Sequence, residues 1–257
     1  MKKEEGGWFT VEEIDGDTFA IGEYKHWEEA HAYLLTGRRR AVLIDTGLGV
    51  GRIDRVVKSL TDLPISVLTT HVHWDHIGGH GLFEDVAVHE AGREWLKSFP
   101  IPLAVVRSNL TRPPCDFPEG FRPSEYRVYQ GEAKSVYRDG DRFDLGGRTL
   151  TAIHTPGHSP GHCCFYEAER KTLYSGDLIY GGCLDAFYPT TDPLLFWRSI
   201  QKIQALAVDR ILPGHHALSL SAGIVDRIEA AFAALSAKDK LFRGSGLYDF
   251  GEFQIHL

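Results

Sequence analysis

The sequence predicts an α/β fold of two β-sheets with helices on their outer faces. Three observations predict it. The chain alternates in blocks, β-rich, helical, β-rich, helical, and two sheets covered by helices is an economical layering for that order. Its 257 residues, 43% hydrophobic and 25% charged, can bury a sizeable core. Histidine and aspartate concentrate where the strand-like segments end.

The elements follow in chain order. "TFAIGEY", "AYLL" and "AVLID" read as short strands separated by polar turns. "GRRR", Gly37 to Arg40, reads as a solvated turn between two of them. In "GRIDRVVKSL" the apolar Ile53, Val56, Val57 and Leu60 recur at helical spacing. "ISVLTT" is a buried strand that runs directly into His71. Gly78 and Gly79 then ease a turn, and a short helix follows.

Residues 99–130 differ in character. Pro100, Pro102, Pro113, Pro114, Pro118 and Pro123 break any regular pattern, and Phe117, Phe121 and Tyr126 lie among them. The segment reads as a cap or lid inserted into a single domain spanning residues 1–257. Strands resume in "SVYRDGDRFDLGGRTLTAIHT", where "DG" and "GG" are hairpin signals. "CCFYEAERKTLYSGD" is a further hairpin, with one of Cys163 and Cys164 facing the core. "TDPLLFWRSIQKIQAL" is a helix with Asp192 as N-cap and Pro193 at its first position. "DRILPGHH" is a strand leading to a histidine pair, and "SAGIVDRIEAAFAALSAK" is the last long helix.

Bulk properties exclude several classes. A net charge of −7 and a pI near 6.0 argue against nucleic acid as a partner. No run approaches the ~20 apolar residues of a membrane span. "MKKEEGGWF" lacks the apolar stretch of a signal peptide, so the expected location is cytoplasmic. The four cysteines form no CxxC pair, which argues against a disulfide framework. A small-molecule substrate is expected, and a homodimer is left open.

"THVHWDHIGGH", residues 70–80, is the densest chemical signal. Imidazole rings cost free energy to bury unless each nitrogen finds a partner. A metal ion is the partner that needs several at once. On a strand, His71 and His73 project to one side, and a turn brings Asp75 and His76 to join them. Further histidine and aspartate follow strands in "IHTPGHSPGH" (His154, His158, His162), "LYSGDLIY" (Asp177) and "ILPGHH" (His215, His216). This donor set exceeds one four-coordinate zinc and is enough for two. Nitrogen and oxygen donors without thiolate favour Zn²⁺, with iron or manganese as alternatives.

HxHxDH, TPGH, SGD and PGH in that order, with "VLIDTG" ahead of them, resemble the metallo-β-lactamase-fold hydrolases. The resemblance covers most of the chain, from about Ala41 to His215. It implies a four-layer αββα sandwich with an inserted lid. It also implies that His71, His73 and His158 hold one metal, that Asp75, His76 and His215 hold the other, and that Asp177 bridges the two. Asp45 would orient a ligand from behind. His154 and His162 read as structural neighbours of the TPGH ligand. His80, His89 and His216 read as local hydrogen-bonding residues, and His26, His31 and His256 as surface residues.

Two such metals lower the pKa of a shared water, and the resulting hydroxide attacks a carbonyl. Asp75 would pass a proton to the leaving group. Tyr180, placed just after Asp177 as in lactonases of this fold, would donate to the developing oxyanion. Long stretches, "LYSGDLIYGGCLDAFYP" among them, are similar to the acyl-CoA-hydrolysing branch and favour a thioester or related ester. The lid would suit an acyl chain, with Arg107, Arg112 and Arg122 available to coenzyme phosphates. Alternatives are a lactonase of acyl-homoserine-lactone type, a glyoxalase II-like hydrolase and a β-lactamase. Outside that class stand a non-haem iron oxidoreductase and a phosphodiesterase.

Overall fold

The structure, a computed structural model, describes residues 2–5 (backbone only), 7–218, 220 and 223–257. The chain divides into two compact units, Met1–Tyr137 with Asp144–Arg148, and Arg138–Phe143 with Thr149–Leu257. Among the described residues no helix is long and apolar enough to cross a membrane.

The first unit is built on one eight-stranded sheet. Its strands are β1 (Lys2–Glu5), β2 (Phe9–Asp15), β3 (Thr18–Gly22), β4 (His31–Thr36), β5 (Ala41–Ile44), β6 (Ile65–Leu68), β7 (Val86–His89) and β8 (Ser135–Tyr137), and they lie in the sheet in sequence order. Pairing is antiparallel from β1 to β5 and parallel from β5 to β8. The helices are α1 (Ile53–Leu60), α2 (Trp74–Ile77), α3 (Arg93–Lys97) and α4 (Leu103–Leu110). On α1 the predicted spacing holds, with Ile53, Val56 and Val57 buried against Leu34, Leu43 and Val67 in one core cluster. Burying each such side chain contributes roughly 1.5–3 kcal/mol. "GRRR" is the β4–β5 turn, closed by the Gly37 N–H donating to the Arg40 carbonyl at 3.0 Å.

Residues 99–130 are more ordered than their prolines predict. Pro102 is the N-cap of α4, a place where a missing N–H costs nothing. Val106, Leu110, Tyr126 and Val128 are buried in a cluster with Val72, Trp74 and Ile77. The segment is therefore partly core of the first unit.

The second unit holds a five-stranded sheet in the order β14-β12-β11-β10-β9, from β9 (Arg142–Asp144), β10 (Thr149–His154), β11 (Cys163–Glu167), β12 (Thr172–Gly176) and β14 (Arg210–Pro213). A three-stranded sheet of β13 (Cys183–Asp185), β16 (Gln254–His256) and β15 (Leu247–Asp249) accompanies it. Its helices are α5 (Pro193–Gln204) and α6 (Gly223–Ala237). Asp192 caps α5 as predicted, its Oδ1 accepting from the Leu195 N–H at 2.9 Å. Phe196, Ile200 and Ile203 of α5 bury against Ile224, Ile228 and Phe232 of α6. Cys163 and Cys164 are both fully buried, and Cys164 is the one that packs in the hydrophobic cluster with α5 and α6.

One hairpin reading is corrected. "GG" joins β9 to its neighbour β10, and Gly146 and Gly147 both take positive φ. "DG" does not join a hairpin, because β8 pairs with β7 in the first sheet while β9 belongs to the second.

Candidate metal centre

In the first unit the chain leaves β6 at Leu68, and His73 is extended (φ −115°, ψ 155°) before the single helical turn α2. That turn returns His76 to the earlier imidazoles. The His71 ring centroid lies 4.5 Å from His73 and 4.2 Å from His76. One short helix begins at Trp74, ahead of the glycines, and a single 3₁₀ turn, His80–Leu82, follows them as expected. Gly78 is itself α-helical (φ −58°), and a Cβ there would meet the Leu48 carbonyl carbon at 2.2 Å. Close packing, not turn freedom, requires that glycine.

Hydrogen bonds behind the rings fix which nitrogen each presents. The Thr70 hydroxyl donates to Asp45 Oδ2 at 2.6 Å, so it can only accept from His71 Nδ1 at 3.0 Å. The neutral His71 ring then carries its lone pair on Nε2, facing His73 Nδ1 at 3.0 Å. His76 Nδ1 donates to Asp45 Oδ2 at 2.9 Å, so its Nε2 lone pair faces Asp75 Oδ2 at 3.5 Å. A metal ion held between that ring nitrogen and the carboxylate, or a proton on the ring, would satisfy both.

Asp45 earns its place through strain. Its φ of 58° is left-handed, a conformation that costs a non-glycine residue about 1–3 kcal/mol. It lets one carboxylate accept from the Thr70 N–H (2.7 Å), the Thr70 hydroxyl and His76. Burial pushes the Asp45 carboxyl above its usual range, while His76 and Thr70 pull it back down.

In the second unit, β12 and β14 run parallel with Gly176 opposite Pro213, so Asp177 and His215 follow neighbouring strand ends. Asp177 Oδ2 lies 3.2 Å from His215 Nε2 and 3.5 Å from His158 Nε2. His158 Nδ1 donates to the Asp185 carbonyl at 3.3 Å, so its Nε2 also presents a lone pair. The Asp177 N–H donates to His162 Nε2 at 3.1 Å, which places the His162 proton on Nδ1, directed at the Thr155 hydroxyl (2.8 Å). His162 therefore holds the aspartate from behind. The TPGH loop is pinned by Gly157, whose φ is +134° and whose Cβ would meet the Phe196 backbone nitrogen at 2.2 Å.

The remaining histidines divide. His154 Nε2 donates to the Pro160 carbonyl at 2.9 Å, and His89 Nδ1 accepts from the Ala91 N–H at 3.3 Å. His80 is buried between the Thr46 and Thr69 hydroxyls at 2.7 and 2.8 Å. Burial first, then the neighbouring His76, push its pKa down to about 3. His216 takes a left-handed φ of 63° beside Tyr180. The surface reading fails for His26 and His31, both 1% exposed, whereas His256 is half-buried with its side chain still reached by solvent. His26 Nε2 donates to the Leu110 carbonyl at 2.9 Å, a partner distant in sequence.

Tyr180 is buried beside the His215 ring, and its hydroxyl donates to the Cys183 carbonyl. Arg107 donates to the Tyr126 carbonyl at 3.1 Å, Arg112 stacks over Trp27 at 4.5 Å, and Arg122 is exposed. Glu23 was not legible as a buried carboxylate. It is 1% exposed, accepts from Trp8 Nε1 (2.6 Å) and the Leu48 N–H (2.8 Å), and burial raises its carboxyl to about 7.

Mixed sheets with helices carry histidine and aspartate donors at their strand ends and make an α/β fold. The pattern described as the Metallo-beta-lactamase superfamily matches residues 27–215, and the chain belongs to that superfamily. It is 33% identical to the acyl-coenzyme A thioesterase MBLAC2 of Bos taurus and 32% to that of Homo sapiens, over 81% of this chain and 81% of each relative. Among solved structures it is similar to a metallo-beta-lactamase from Pontibacter korlensis, with a TM-score of 0.64, 18% identity, and coverage of 88% of this chain and 99% of that one. The last likeness concerns the fold alone.

Proposed function

We propose that the protein hydrolyses a thioester of the acyl-coenzyme A type with two divalent metal ions, Zn²⁺ being favoured. His71, His73 and His158 hold one ion, Asp75, His76 and His215 the other, and Asp177 is shared. Residues 1–257 act in this reading as one hydrolase domain. The metal assignment is supported by ring nitrogens set against carboxylates, His76 Nε2 against Asp75 and His158 Nε2 against Asp177. The substrate assignment rests on likeness to proteins named acyl-coenzyme A thioesterases across four-fifths of both chains.

Bound ions supply Lewis acidity and bring the pKa of a water toward neutrality. The chain's own residues do the rest. Asp45 and Thr70 hold His71 and His76 in the tautomers that present Nε2, and His162 holds Asp177. Asp75 carries a proton to the leaving sulfur. The Tyr180 hydroxyl, released from the Cys183 carbonyl, donates to the oxygen on which charge develops. The apolar part of residues 99–130 sets acyl preference. Phe99, Ile101, Leu103 and Val128 line a cavity of about 240 Å³ there.

The test is a substrate panel on metal-analysed protein, with acyl-coenzyme A esters of several lengths, lactones, S-lactoylglutathione, a β-lactam and a phosphodiester. The highest kcat/KM is expected for an acyl-coenzyme A ester. A preference of tenfold or more for a lactone would replace the thioester reading.

A further inference from the structure

A second set of donors lies in the smaller sheet of the second unit. Strands β13 and β16 pair in parallel with Asp185 opposite His256. Cys183 and Asp185 alternate with the fully buried Leu184, so their side chains share the other face. The Cys183 thiol donates to Asp185 Oδ1 at 3.9 Å, and His256 Nδ1 donates to the same oxygen at 2.8 Å. One donor atom from each of the three residues lies within 4.8 Å of the others. The Asp185 and His256 side chains are 27% and 32% exposed, so solvent reaches the cluster.

We propose that Cys183, Asp185 and His256 form an auxiliary site for a thiophilic divalent cation such as Zn²⁺, outside the histidine and aspartate set described above. Thiolate, imidazole and carboxylate are zinc's customary ligands, and the solvent-facing side supplies a fourth position. Tetrahedral geometry with Zn–N and Zn–O of about 2.0 Å and Zn–S of about 2.3 Å requires separations of roughly 3.3 Å (N to O) and 3.5 Å (S to O). The observed 2.8 and 3.9 Å bracket these values, so closure needs only side-chain adjustment.

The frame around the donors is already held. The Cys183 carbonyl accepts from Tyr180, the Asp185 carbonyl accepts from His158, and the Phe187 ring stacks flat on His256 at 4.3 Å and 6°. Two protons now converge on Asp185 Oδ1, and one cation replaces both. The thiol proton leaves to solvent, and the imidazole proton moves from Nδ1 to Nε2. Burial and the adjacent Asp185 push the metal-free thiol up to about 12. Because Asp185 ligates through its side chain and orients His158 through its carbonyl, occupancy is linked to the position of His158.

The site is separable from the hydrolytic one by spectroscopy, since no cysteine is among the proposed hydrolytic ligands. Protein produced in cobalt-supplemented, zinc-poor medium is expected to show a thiolate-to-cobalt charge-transfer band in the near ultraviolet. Cys183→Ser should abolish it, His256→Gln should reduce it, and Cys115→Ser and His71→Ala should leave it. Added Zn²⁺ should displace the band and shield one thiol from a thiol reagent in the wild type but not in His256→Gln. Cobalt-loaded protein without the band, or a band that survives Cys183→Ser, overturns the proposal. Neither result decides the thioester reading, and loss of hydrolysis in His71→Ala leaves the band and this proposal standing.

Discussion

Asp45 Oδ2 lies 2.9 Å from His76 Nδ1, and the same oxygen accepts from the hydroxyl that positions His71. One carboxylate thus sets the tautomers of two imidazoles. Asp45→Asn keeps the shape and removes the charge. It is expected to weaken metal affinity roughly 10- to 100-fold, the usual loss for a partner behind the ligands. Chelator competition measures this, and affinity within a factor of two of wild type would refute the role.

Asp177 and His216 test the donor set by contrast. Asp177→Ala should lose at least one metal per chain by elemental analysis and abolish hydrolysis. His216→Ala should keep its metals and most of its activity. Equal behaviour of the two variants would show that the ligand in "PGHH" is misassigned.

Tyr180→Phe deletes one hydroxyl and preserves the ring. If that hydroxyl turns to the oxyanion, kcat should fall roughly 10- to 1,000-fold with metal content unchanged. A variant with wild-type kcat and a lowered Tm would assign the hydroxyl to its bond with the Cys183 carbonyl.

His80 gives a pH dependence. Its folded pKa is near 3 against an ordinary 6.5, so the unfolded chain takes up the proton first. The stability it contributes is present above about pH 6.5 and is lost as pH falls toward 3. Between pH 7 and pH 5 the loss is about 2 kcal/mol. Denaturant unfolding of wild type and His80→Gln at both pH values should show a pH difference smaller by that amount in the variant. Identical pH differences would mean His80 does not titrate as described.

The HxHxDH set was legible because its spacing brings the donors together through one strand end and one helical turn. Asp177 and His215 were legible for the same reason, each following a strand. What escaped depends on partners far away in the chain. His26 looked like a surface residue because nothing nearby announces the Leu110 carbonyl that accepts from it. Proline density concealed α4, whose buried Val106 and Leu110 matter more than the prolines before them. The strands β13, β15 and β16 are three residues each, too short for alternation to show. His256 therefore read as featureless until its pairing with Asp185 was seen.

Strands β1 to β5 pair antiparallel with their neighbours in sequence and with no helix between them, whereas β7–β8, β12–β14 and β13–β16 join segments separated by whole helices. Loop closure opposes distant pairing, and contact order slows folding. The antiparallel run β2 to β5 can therefore zip up hairpin by hairpin, while the strands flanking Asp177, His215 and His256 must wait for long excursions to close. Refolding followed by pulsed hydrogen exchange should protect β2–β5 first and β13 and β16 last. The residues assigned to chemistry would then be assembled late, on a scaffold half of which is already solid.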